Sequence, residues 1–281
     1  MNVAIKSLLL IVVVAVVSNA AAQIQLQPEG KSQNVFAGAG RTIETIWTNP
    51  ASITAQTPIH LRLLQASAAT TVCVSTSDWK KLVLLPHQTV MESARLNFPR
   101  VKKETRFVIQ WLDGDDTNAV LGVTRVNAFP TNLWEELKTP AGVQGIGIYD
   151  PGSELKPLLK DASIKIDDLE KSNLTNFCGN LAVIGPFTRS DRLPDFMVTQ
   201  VKALAKRSVA VVWIRTPPPA SPNPFPSFCT VWLGSRPTII VQPCLLANLP
   251  EDPQSQNNLV YFCKLALNQQ SSDFLNLASQ P

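Results

Sequence analysis

Residues 180–219 restrict the fold most, because they join two apolar segments through a helical one. Leu181–Ile184 and Val209–Ile214 are short, apolar and rich in branched side chains, as is typical of buried strands. Between them, Pro194 and Asp195 precede apolar residues at helical spacing, namely Val198, Val201, Leu204 and Ala205. A strand, a helix and a second strand of this length predict a βαβ unit and therefore a parallel sheet.

The flanking residues extend this α/β pattern. Gly145–Tyr149 is an apolar run that predicts a buried parallel strand, and the following turn, Asp150-Pro151-Gly152-Ser153, leads into a helix. Further predicted elements are a strand at Ile164–Ile166, an acidic turn at Asp167-Asp168, a proline-rich loop at Thr216–Pro226, an antiparallel edge pair at Phe228–Leu233 and Thr238–Val241, and a final amphipathic helix containing Leu259, Phe262 and Ala266. We therefore expect an α/β domain over residues 141–268.

The preceding hundred residues have a different period. Short segments rich in β-branched residues alternate with turn signals and lack a helical period, which predicts a small all-β sandwich over residues 24–130. The predicted strands are Thr42–Trp47, Ile59–Leu64, Thr71–Ser75, Lys81–Leu85, Val90–Leu96, Thr105–Trp111 and Ala119–Val126. Asp113-Gly114-Asp115-Asp116 predicts a hairpin turn rather than a calcium loop, because it lacks the alternating ligand spacing and closing glutamate of such loops.

The N-terminus predicts a secreted protein, periplasmic or extracellular. Lys6 precedes an apolar run, Leu8–Val17, and small residues follow before Gln23, which is the pattern of a signal peptide over residues 1–22. The run is shorter than the roughly 20 residues that span a membrane, so we expect no membrane span after cleavage; an uncleaved anchor is the alternative. The tail, residues 269–281, is expected to be loose.

Charge and cysteine content argue against several functions. The net charge of +4 is spread over isolated basic pairs without aromatic interleaving, so nucleic-acid binding is not expected. The five cysteines have no C-x-x-C spacing, and no H-E-x-x-H or phosphate-loop motif occurs. We therefore predict no metal and no cofactor. The cysteines are Cys73, Cys178, Cys229, Cys244 and Cys263, and their odd number leaves both a buried-core role and one or two disulfides open.

Residues 141–268 resemble the class I glutamine amidotransferase-like domain, which has a flavodoxin-like α/β fold. The resemblance rests on Gly147-Ile148-Tyr149-Asp150, on Asn180–Pro186 with its strand and glycine turn, and on the helix leading to Val209–Ile214. In catalytic members, that last strand ends in a G-x-C-x-G turn carrying the nucleophile. Here Trp213-Ile214-Arg215-Thr216-Pro217 contains neither cysteine nor glycine, so the resemblance implies a degenerate domain. The front part is similar in outline to immunoglobulin-like domains, without their Cys-Trp-Cys core.

Four residues are candidates for ligand binding, because ligands of open α/β sheets bind at the carboxyl ends of the strands. They are Asp150, Ser153, Arg189 and Arg215. Asp150 has an alternative role as a helix cap, and Arg189 as part of an exposed loop. No catalytic residue is predicted, because a nucleophile needs a base and the only histidines, His60 and His87, lie in the β-rich half.

These observations predict a non-catalytic binding protein whose partner is an unidentified protein or small ligand. One alternative is a hydrolase whose site spans the two domains and uses His60 or His87. Another is a structural component of a cell-envelope assembly, which would expose a broad apolar patch.

Overall fold

The computed structural model describes residues 24–28, 31–116, 118–172, 174–185, 195–215 and 227–268. The predicted signal peptide, Arg189, the proline-rich loop and the C-terminal tail lie outside these residues. Within them, the chain has an all-β part followed by a part with a mixed sheet. The strands of the β part are β1 (Gln25–Leu26), β2 (Gln33–Phe36), β3 (Gly40–Thr48), β4 (Ala55–Ala66), β5 (Thr71–Leu84), β6 (Thr89–Asn97), β7 (Thr105–Asp113) and β8 (Val120–Phe129).

Two sheets of the β part share one hydrophobic core, as in a β-sandwich. Their strand orders are β1-β3-β6 and β2-β8-β7-β4-β5, and every pairing is antiparallel except that of β2 with β8. Alternate side chains point inward, so Ile43 and Trp47 from one sheet meet Leu61, Ile109 and Trp111 from the other. Period-two sequence patterns therefore predicted these strands correctly in outline.

The prediction of separate strands at Thr71–Ser75 and Lys81–Leu85 was wrong, because the chain forms one continuous strand, β5. Four of its five intervening residues, Thr76, Ser77, Asp78 and Lys80, are polar or charged and still pair with β4. The register shifts between Ile59 and His60, where Trp79 is the extra residue of a β-bulge. The ring of Trp79 lies 6.1 Å from that of Trp47 and 5.0 Å from that of Trp111.

The hairpin turn between β7 and β8 is confirmed. The Asp113 backbone N–H donates to the Ala119 carbonyl at 3.0 Å, and the Asp113 side chain accepts the N–H of Asp115 at 3.0 Å. The short strands β1 and β2 were not predicted. Each pairs through backbone hydrogen bonds at the margin of a sheet and carries little periodic pattern of its own.

The mixed sheet contains six strands among the described residues. Its strands are β9 (Ile146–Tyr149), β10 (Ile166–Asp168), β11 (Leu181–Ile184), β12 (Ala210–Ile214), β13 (Phe228–Trp232) and β14 (Pro237–Val241). The helices are α1 (Lys138–Ala141), α2 (Lys156–Asp161), α3 (Asp195–Lys206) and α4 (Pro253–Asn268), with 3₁₀ turns at Leu133–Leu137, Leu174–Asn176 and Pro243–Leu246.

The strand order of this sheet is β10-β9-β11-β12-β14-β13. All neighbouring pairs are parallel except β13 with β14, so the predicted parallel sheet and its antiparallel edge are both confirmed. Asp167-Asp168 was predicted as a turn but belongs to β10, whose edge position accommodates two charged side chains. Apolar residues cover both faces, with α3 packed on one face and α2 and α4 on the other.

The connection between the two parts is buried in the second one. Leu133, Trp134 and Leu137 belong to the core formed with α4, and the Trp134 indole N–H donates to the Gln256 side-chain oxygen at 2.9 Å. On the sandwich side, the Asn34 side chain on β2 donates to the Asp252 carboxylate at 3.1 Å. The helix α4 therefore contacts both the connection and the outer edge of the five-stranded sheet.

Candidate functional site

The carboxyl ends of the parallel strands form the candidate site. Because β9, β11, β12 and β14 run in the same direction, the residues that follow them meet at one edge of the sheet. The backbone N–H of Gly185 donates to the Tyr149 carbonyl at 2.8 Å, and that of Arg215 donates to the Val241 carbonyl at 2.9 Å. These hydrogen bonds continue the sheet one residue beyond its strands and fix the positions of Asp150 and Arg215.

Asp150 is fully buried and caps the turn that enters α2. Its carboxylate accepts the backbone N–H of Glu154 at 3.2 Å, of Leu155 at 2.8 Å and of Lys156 at 3.0 Å. The first turn of a helix has N–H groups without partners inside the helix, and a carboxylate satisfies them well. The geometry thus favours the capping role that was the alternative for Asp150, and leaves the carboxylate no access to solvent.

A charged network holds this turn against β10. The Glu170 carboxylate accepts the Asp150 backbone N–H at 2.8 Å and pairs with the Lys156 ammonium, which also lies 3.1 Å from Asp168. Burial alone would lower the pKa of Lys156, but its hydrogen bonds to Glu170 and Asp168 outweigh burial and raise that pKa. Burial alone would raise the pKa of Asp168, but hydrogen bonds from Lys156 and the Glu170 backbone lower it. Both groups therefore carry their charges at neutral pH.

Ser153 and Arg215 remain accessible. Ser153 is exposed at a backbone φ of 54°, and its N–H donates to the Asp150 carbonyl at 3.0 Å. Arg215 is partly buried, with its guanidinium carbon 4.8 Å from the ring centroid of Trp213. Stacking on an indole face fixes a guanidinium while leaving its N–H donors available to an anion. Arg215 has no carboxylate partner among the ion pairs of the described residues.

Cys229 and Trp213 belong to the same site, although sequence analysis did not place them there. Trp213 pairs across the sheet with Ile240, which pairs in turn with Cys229 on the edge strand β13. Burial raises the pKa of the Cys229 thiol, and the nearby charge of Arg215 only partly offsets that rise. The thiol is thus protonated at neutral pH and a poor nucleophile. Only strand pairing, which a local pattern does not encode, could have grouped these residues.

The two histidines lie in the β part. The His60 Nδ1 atom on β4 contacts the Asp78 carboxylate, and the His87 Nε2 atom lies 3.4 Å from the Ser52 hydroxyl in an exposed turn. Strand β4 is separated from β2, which contacts α4, by β7 and β8. Helix α4 also contacts β8, which lies two strand spacings, or about 10 Å, from β4.

All five cysteines lie within the described residues, and each is a free thiol. Cys263 is buried, which confirms its predicted core role, and burial raises its thiol pKa to about 12. For Cys73, Cys178 and Cys244 the core role was wrong, because these side chains are exposed. Within the described part of the chain, no three His, Cys, Asp or Glu side chains converge as metal ligands. None of the described helices combines the length and apolar character needed to cross a bilayer.

No family model and no curated protein matches the chain. Solved structures similar to part of it include a β-glucosidase from Listeria innocua in complex with glucose, with 13% identity and a TM-score of 0.29. Another is the Pseudomonas fluorescens alkylpurine DNA glycosylase AlkC bound to DNA containing an abasic site analog, with 11% identity and a TM-score of 0.30. A third is the sporulation control protein Spo0M from Bacillus subtilis, with 10% identity and a TM-score of 0.28. They cover 39%, 39% and 44% of this chain. The chain spans only 16%, 31% and 54% of theirs.

Proposed function

We propose that the chain is a secreted, non-catalytic binding protein in which an immunoglobulin-like domain, residues 24–130, precedes a degenerate amidotransferase-like domain, residues 141–268. The strand order supports the second assignment. Counted along the chain, the five parallel strands are arranged second, first, third, fourth and fifth, which is the order of flavodoxin-like sheets. The ligand or protein partner contacts the carboxyl edge of that sheet through Ser153 and Arg215.

The observation that carries this proposal is the environment of Arg215. It follows β12, where catalytic members of the resembled family place a nucleophile, and its guanidinium lies over Trp213. The neighbouring Cys229 thiol has a raised pKa, and both histidines are in the β part. A fixed cation without an activated nucleophile suits recognition of an anionic group rather than bond cleavage.

Hydrolysis assays separate this proposal from a hydrolase with a site between the domains. Purified protein is incubated with glutamine and with p-nitrophenyl acetate, alongside the His60→Ala, His87→Ala and Cys229→Ala variants. We expect every sample to match the buffer rate. Turnover by the native protein that disappears in a histidine variant would establish the hydrolase instead.

A binding measurement tests the role of Arg215. Citrate, a small polycarboxylate, is titrated into the native protein and into Arg215→Gln while thermal unfolding is followed. We expect citrate to raise the melting temperature of the native protein and not that of the variant. Lys206→Gln, which removes an exposed charge at the end of α3, should respond like the native protein. Equal stabilisation of all three proteins would count against the proposed edge site.

A further inference from the structure

Three arginines lie on the outer face of the five-stranded sheet. Along β4, β7 and β8, alternate residues point into the core, and Arg62, Arg106 and Arg125 occupy the opposite positions. Arg62 pairs with Gln110, and Arg125 pairs with Val108 on the same central strand. We call these three arginines the basic face.

Arg106 and Arg125 line a small cavity on this face. It has a volume of about 230 Å³, and its polar lining includes Ser32 and Asn127, while Ala66 and Val108 form its apolar wall. Because Arg106 pairs with Asn127, two residues from Arg125, the two arginines are diagonal cross-strand neighbours. Diagonal neighbours are separated by roughly 7–8 Å, so two guanidinium groups can converge on one group placed between them.

The charge of the basic face is not neutralised within the described part of the chain. The ion-pair contacts among the described residues involve five lysines and His60. None of them involves Arg62, Arg106 or Arg125. Among the described residues, the Arg62 side chain donates to that of Gln110 at 3.5 Å and to no other side chain. Asp252, a carboxylate that contacts the β2 edge of this sheet, accepts hydrogen bonds from Asn34 and from Ser255. A cluster of unpaired guanidinium groups produces a positive potential that attracts anions.

The sheet also holds the arginines in place before any ligand arrives. Strands β7 and β8 both lie inside the sheet. Arg106 pairs with Ala66 on one side and Asn127 on the other, whereas Arg125 pairs with Val108 and is followed by Val126, which pairs with Gln33 on β2. Paired guanidinium groups on a rigid support match the geometry of phosphate, sulfate and carboxylate oxygens. Rigid positioning reduces the entropy lost on binding.

We propose that the cavity between Arg106 and Arg125 binds an oxyanion, with Arg62 contributing charge at its margin. The group can belong to a free small anion or to an acidic polysaccharide, because both present the same oxygens. This site is separate from the carboxyl edge of the mixed sheet and does not depend on the function proposed for that edge.

Calorimetric titration tests the proposal on the full chain with two probes, inorganic phosphate and heparin, a sulfated polysaccharide. The test variant is Arg106→Gln/Arg125→Gln. The matched control is Lys102→Gln/Lys103→Gln, which removes the same charge from an exposed loop. We expect at least one probe to bind the native protein and the control equally, and the arginine variant about tenfold or more weakly. Phosphate binding identifies a small-anion site, and binding of heparin alone identifies a polysaccharide site.

Three results would overturn the proposal. These are no binding of either probe to the native protein, equal binding to the arginine variant, and equal weakening by the lysine control, which would indicate charge attraction without a site. Both arginines are exposed and contribute nothing to the core, so the variant should keep the native melting temperature. The single variant Arg106→Lys, which preserves charge but not the planar donor fork, should bind with intermediate affinity.

Discussion

The side chain of Asp150 is used as a hydrogen-bond acceptor for the protein's own backbone. It satisfies three backbone N–H groups at the entry of α2 and is fully buried, whereas Arg215 at the same sheet edge is partly exposed and has no ion-pair partner among the described residues. Burying a polar group is costly unless hydrogen bonds replace its contacts with water. The structural residue Asp150 and the proposed binding residues Ser153 and Arg215 therefore differ in accessibility as well as in residue type.

Replacing Asp150 should reduce stability more than replacing an acidic residue of α2, the helix that follows it. Asp150→Ala leaves three N–H groups without their acceptor, and we expect the free energy of unfolding to fall by about 2 kcal/mol or more. Urea denaturation followed by tryptophan fluorescence measures the change. The control is Asp161→Ala, at the exposed end of α2. If the two variants lost similar stability, the capping role would be wrong.

Among the elements, close packing against α3 restricts the position of one turn. The turn between β13 and β14 approaches the end of α3 so closely that a Cβ atom on Gly234 would lie 2.0 Å from the Ala205 carbonyl oxygen. Real Cβ atoms do not approach this closely, and a backbone oxygen in a helix cannot move aside as a side chain would. Gly234 thus allows the antiparallel edge pair to lie against α3.

The variant Gly234→Ala should therefore shift the edge pair away from α3. We expect a loss of roughly 2–3 kcal/mol, visible as a lower melting temperature in circular dichroism. Gly152→Ala is the matched control, because its new Cβ atom would lie 3.4 Å from the nearest atom, an ordinary contact. A melting temperature for Gly234→Ala as high as that of the control would contradict this packing.

In the whole molecule, the connection between the two parts contributes side chains to the hydrophobic core of the second part. Leu133, Trp134 and Leu137 are buried with Leu259 and other residues of α4, and Phe129 at the end of β8 joins the same cluster. All four residues precede residue 141, where the predicted α/β domain begins. We propose that this domain extends further toward the N-terminus and includes them.

Two fragments test this extension. We expect residues 129–268 to unfold in one cooperative thermal transition, because they retain the whole cluster around α4. Residues 141–268 lack four buried apolar side chains, and truncating even one such residue costs about 2–5 kcal/mol. That fragment should be soluble only as an unfolded chain or should aggregate, as judged by gel filtration and circular dichroism. Cooperative unfolding of the shorter fragment would disprove the structural role of the connection.

The sequence by itself determined the period-two strands of the first part, the parallel sheet of the second and its antiparallel edge, because local periodicity records which side of an element faces a core. Only the tertiary structure decided that Asp150 is a cap, that Cys229 lies beside Arg215, and that Arg106 and Arg125 share a cavity. These arrangements depend on strand register and on contacts between residues far apart in the chain. No local pattern contains that information, since a shift of one residue reverses the face that each side chain occupies.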